Sequence, residues 1–145
     1  MKIKLRELAL LVGGFVIGAV VALLLTPRAV HNAPQPGSPI DPTAQRCFNT
    51  LLAATAAGDY NQFVSVANDT FRRGITPSMF DSISQSLGPR TQHGGCTPTY
   101  LGQFRQNGTQ VSLWRLAFTD GGDDRLARLS MLQDRVNGFV VTPAF

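Results

Sequence analysis

The hydrophobic pattern of the chain changes period once, near Thr97, and that change limits the folds open to it. Before it, apolar residues recur every three to four positions, the spacing of one helical face; after it they alternate, the spacing of one sheet face. The later part reads as four strands, TYLGQFRQ, QVSLWRLAF, RLARLSML and VNGFVVTP, joined by Asn107-Gly108, an Asp/Gly loop and Asp134-Arg135. Connections this short make the sheet antiparallel. Alternation gathers Trp114, Leu116 and Phe118 on one face of the second strand and Leu113 and Arg115 on the other. Helices first and an antiparallel sheet afterwards is an α+β layout, with the helices covering the apolar sheet face.

Three helices are expected ahead of the sheet. In DPTAQRCFNTLLAATAAGD, Asp41 caps, Pro42 suits the first helical position, and Cys47, Phe48, Leu51, Leu52 and Thr55 share a face that Gly58 ends. A second begins at Asp59 with Tyr60, Phe63, Val64 and Ala67 at helical spacing. A third spans Thr76 to Leu87, capped by Thr76, led by Pro77 and buried through Met79, Phe80, Ile83 and Leu87.

Upstream lie 19 uncharged residues, Leu8 to Thr26, a length that crosses a bilayer core of about 30 Å as a helix. Lys2, Lys4 and Arg6 precede this segment and only Arg28 follows it closely, so the rule that cytoplasmic flanks collect positive charge leaves the rest outside. The expected organisation is a cytoplasmic tail (1–7), a single-pass anchor in membrane lipid (8–26), a Pro-rich linker (27–42) and an exported periplasmic or extracellular domain (43–145). A cleaved signal peptide fits less well, because small residues do not pair at its cleavage positions: Ala33 would pair with His31 and Ala29 with Pro27. Gly14, Gly18 and Ala22 form a small-residue face through which two anchors would pack as a homodimer.

The net charge of +4 is concentrated before the domain: from Asp41 onward nine arginines face eight aspartates. A nearly neutral domain without a basic stripe lacks what a nucleic-acid backbone requires, so nucleic acid is not expected as a partner.

The stretch TDGGDDRLARL carries three aspartates around two glycines. Asp120, Asp123 and Asp124 lack the alternating spacing and the closing glutamate of a calcium loop, so the segment reads as a turn, with Arg125 offsetting its charge. Cys47 and Cys96 form neither a redox pair nor, with only His31 and His93 available, a zinc set. No metal and no cofactor is expected. In an oxidising compartment an even pair of cysteines suggests a disulfide, contributing about 4 kcal/mol in the chain-entropy account.

The runs CFNTLLAATAAGDYNQFV, ITPSMF and LGPR, and above all YLGQFRQNGTQVSLWRLAFTDGGDDRLARLSMLQDRVNGFVV, resemble small anchored members of the nuclear-transport-factor-two-like superfamily, also called cystatin-like or ketosteroid-isomerase-like cones. The resemblance covers roughly residues 43 to 142. It implies a cone with a pocket between helices and sheet, walled by Phe104, Trp114, Leu116 and Met131, residues that serve equally well as core. Some cones run acid/base chemistry with a buried Asp or His aided by Tyr, for which Tyr60, Tyr100, Asp69, Asp81 and His93 are the available groups; no catalytic pattern of the superfamily maps onto them. The expectation is therefore a non-catalytic, membrane-anchored domain that binds a partner protein or a small apolar ligand. The alternatives are an envelope or secretion-system scaffold, whose anchor, linker and cone are laid out similarly, and a small-molecule acid/base enzyme.

Overall fold

The structure, a computed structural model, describes residues 39–144. The expected anchor, its Gly14, Gly18 and Ala22 face, the tail and most of the linker lie outside the described residues. Among the described residues no helix is long and apolar enough to cross a membrane.

Four helices come first: α1 (Pro42–Ala57), α2 (Tyr60–Ser65), α3 (Asp69–Gly74) and α4 (Pro77–Thr91). Each starts where a short polar side chain satisfies an otherwise unpaired amide. Asp41 accepts from Thr43 N at 2.8 Å, Asp59 from Gln62 N at 2.9 Å, Asn68 from Phe71 N at 2.8 Å and Thr76 from Met79 N at 3.2 Å. Gly58 ends α1 with a left-handed φ of 68°, and Asp59 N closes the turn onto Ala54 O at 2.9 Å. The helix over Asp69–Gly74 was not expected from periodicity, since six residues are too few to show it.

A turn of 3₁₀ helix (Gln92–Gly94) leads into β1 (Cys96–Gln106), β2 (Thr109–Phe118), β3 (Arg125–Leu132) and β4 (Arg135–Pro143). They form one antiparallel meander in the order β1-β2-β3-β4, so β1 and β4 are its edges. Helices on an open four-stranded antiparallel sheet make the α+β fold expected. The last turn sits one residue earlier than Asp134-Arg135: Gln133 and Asp134 are its centre, with φ of 50° and 60°.

The core is aromatic. Phe48 of α1 stacks on Trp114 of β2, with ring centroids 4.1 Å apart and 9° between planes. Phe63 of α2 meets Phe80 of α4 at 4.9 Å and Phe139 of β4 at 6.2 Å, which ties two helices to the sheet edge. Trp114, Leu116 and Phe118 all face inward as alternation requires. Five members of the expected stripes differ: Met79 is 51% exposed, and Leu52, Tyr60, Val64 and Ile83 are only half-buried.

Helix α4 passes Leu87, the expected end, and continues through Gly88 and Pro89 to Thr91. Gly88 is buried against the end of α1; a Cβ there would lie 2.9 Å from Thr55 O. Ser84 Oγ also donates to Thr55 O, at 2.9 Å. Close packing of α4 on α1 therefore supports a last turn that local propensity disfavours.

Candidate binding groove

Three parts of the chain enclose a groove of about 500 Å³. Helix α4 contributes Ile83, Ser86, Leu87 and Arg90, a stripe at positions i, i+3, i+4 and i+7. The opposite wall is Phe139, Val140 and Val141 of β4, and Arg125, the first residue of β3, completes the lining. Neighbouring strand residues point to opposite faces, so three in succession can line one groove only where it meets the edge of the strand.

Arg90 is held firmly. Its Nε donates to Asp120 Oδ2 at 2.7 Å and its Nη2 to Asp120 Oδ1 at 3.1 Å, while the guanidinium lies 3.8 Å from the centre of the Phe118 ring. The Nη2 also reaches the backbone oxygen of Asp123 at 3.3 Å. Asp120 accepts in addition from Gly122 N at 2.9 Å, so the Asp/Gly segment is a turn, as expected. The bonds from Arg90, then the one from Gly122, hold the Asp120 carboxyl down to about 2, and the same pairing raises the pKa of Arg90. The arginine offsetting this loop is thus Arg90 of the distant helix, with Arg115 3.6 Å from Asp124; it is not Arg125. Among the described residues no carboxylate pairs with Arg125.

The expected pocket walls lie elsewhere. Trp114, Leu116 and Met131 are buried in the core, and none lines the groove. Met131 borders a depression of about 150 Å³ near Asp41 and Gln110. Phe104 is on the other sheet face, because the register slips between Tyr100 and Gly102. Tyr100 opposes the inward Trp114, but after the bulge Phe104 opposes Val111, an odd-numbered position facing away from the helices. Gly102, with φ of 141°, takes a backbone conformation that an L side chain resists.

The groups weighed for acid/base chemistry do not gather at the groove. Tyr60 Oη donates to Ile75 O at 2.9 Å. Asp69 and Asp81 are exposed on α3 and α4, and His93 is exposed on the 3₁₀ turn. The Tyr100 hydroxyl is buried and has no hydrogen-bond partner among the described residues, and burial raises its pKa. Among the described residues no three His, Cys, Asp or Glu side chains are grouped to hold a metal.

Both cysteines are free, against the expected bridge. Cys47 lines a depression with Asp134 and Arg135 at the β3–β4 turn, which follows Met131, the partner of Gln110 at the start of β2. Cys96 opposes Phe118 at the end of β2. At about 3.3 Å per residue those two ends are roughly 25 Å apart, and bonded cysteines need Cα atoms within about 7 Å. Burial raises the pKa of both thiols.

What sequence reasoning missed was the pair of arginines. Arg125 falls on the same alternating face as Ala127, Leu129 and Met131, and a charged residue in phase with an apolar face was the available signal. No family model matches the chain, and no curated protein matches it either.

Proposed function

We propose that residues 39–144 form a non-catalytic binding domain whose ligand occupies the groove between α4 and β4. The observation that carries this reading is the groove itself: about 500 Å³, largely apolar along both walls, with two arginines and no carboxylate among the described residues that line it. The superfamily reading, a cone of the nuclear-transport-factor-two-like type, is supported by helices laid on one face of a meander whose first strand is bulged. The domain is held outside the cytoplasm by the anchor expected over Leu8–Thr26, a reading supported by the length and flanking charges of that segment.

A photoreactive benzophenone amino acid at position 140 of the full chain tests this. Val140 lines the groove and is 53% exposed, whereas Leu132, 42% exposed beside the β3–β4 turn, lies outside it. Irradiation in intact membranes is expected to give adducts from position 140 and not from 132. Equal labelling from both positions, or none from 140, removes the reading.

A further inference from the structure

Resting on that reading, we propose that the groove takes an extended peptide segment that adds to β4 as a fifth strand and sets a carboxylate against Arg125. The register identifies the free hydrogen-bonding groups. Ala144 N donates to Asp124 O at 3.1 Å, so Asp124 and Ala144 are a bonded pair, and Arg125 opposite Pro143 is a non-bonded one. Alternation then turns the backbone N–H and C=O of Phe139 and Val141 away from β3, toward the open edge. Pro143 has no N–H to offer, which ends the available edge there.

The molecule already uses this edge once. Val136 N donates to Val66 O at 3.0 Å and Asn68 N donates to Val136 O at 2.8 Å, a short parallel pairing by the α2–α3 connection. Among the described residues nothing pairs with the edge beyond it, from Gly138 onward. A guest strand of four or five residues would continue the sheet, turning alternate side chains toward Ile83 and Leu87 on α4.

The chemistry of the lining selects among occupants. An acyl chain would fill the apolar walls but leave the outward amides of Phe139 and Val141 without water or a partner, a costly arrangement. A second copy pairing edge to edge would bring RVNGFVVTP, which contains no acidic residue, and would leave Arg125 unmatched. A peptide carrying a carboxylate meets both requirements.

The test uses the full chain in detergent micelles, immobilised and exposed to a pool of heptapeptides with Val, Ile or Leu at alternate positions and a free C-terminal carboxylate. A matched amidated pool and dansyl-undecanoic acid are run beside it. The expected result is retention of the carboxylate pool about tenfold over the amidated pool, falling to the amidated level in Arg125→Gln. Val141→Pro, which deletes one outward N–H on an edge that tolerates proline, is expected to reduce retention with circular dichroism unchanged. Retention indifferent to both substitutions, or no retention in a folded protein, overturns the proposal. Arg125-dependent binding of the dansyl acid without peptide binding overturns the strand while leaving the groove as a ligand site. Failure of both probes together with no adducts from position 140 removes both readings.

Discussion

Asp120 shows how one side chain can couple distant parts of the domain. It accepts from Arg90 of α4 and from Gly122 within its own turn, and its carboxyl is held down to about 2. A carboxylate whose pKa is lowered on folding contributes stability that is complete above its unfolded pKa, about 4, and is lost as pH falls through the folded value. The stability difference between the protein and Asp120→Asn is therefore expected to be constant above about pH 5 and to close between about pH 4 and pH 2. Urea denaturation at a series of pH values measures it. The effect is modest because the side chain is 48% exposed, and a difference that persists unchanged at pH 2 would mean that the ion pair is not its source. The turn at this loop was legible in the sequence, since Asp and Gly each favour turns for local reasons. Its partner was not, because the contact with Arg90 joins residues 30 positions apart and depends on where α4 comes to rest.

At the scale of elements, the caps and faces were written locally and the exceptions were not. Asp41, Thr76 and Gly58 mark helix ends through bonds to amides or carbonyls within a few residues, and the alternation around Trp114 reports a sheet face directly. The last turn of α4 and the placement of Phe104 depend instead on tertiary packing and on one extra residue in β1. That extra residue reverses every later side chain of the strand, which is why an expectation carried by strict alternation placed Phe104 with Trp114. The α4 argument makes a paired prediction. Gly88→Ala gains helix propensity but forces a methyl against Thr55 O, and overpacking of this kind costs about 1–3 kcal/mol. Net destabilisation of about 1–2 kcal/mol is expected after the propensity gain. Gly74→Ala, at the end of α3 with nothing within 4 Å of a new Cβ, is expected to be neutral or slightly stabilising. Denaturation midpoints of the two variants decide this; equal effects would mean that α4 does not rest on α1 at Gly88.

Over the whole molecule, the sheet acts as a ruler that separates features the sequence leaves unplaced. Counting two cysteines suggests a bridge, but only the register reveals that Cys47 belongs to the β3–β4 turn end and Cys96 to the β2–β3 loop end. The same ruler sets Arg125 beside Arg90, since β3 begins at the end where α4 finishes, and so assembles the basic end of the groove from residues far apart in the chain. The full chain, purified with thiol exchange blocked and denatured without reductant, is accordingly expected to take up two equivalents of iodoacetamide and to show no shift of its urea midpoint with reductant. In the native protein alkylation is expected to be slow at neutral pH and to accelerate as pH rises, because burial of both sulfurs opposes the thiolate that reacts. Alkylation that requires prior reduction, in a chain that stays monomeric without reductant, would instead require the two sulfurs to meet, and so a helix layer that does not lie on the sheet as the register and packing place it. Because the groove is set by where α4 rests against β4, the oxidation state of two cysteines outside it tests the geometry on which it depends.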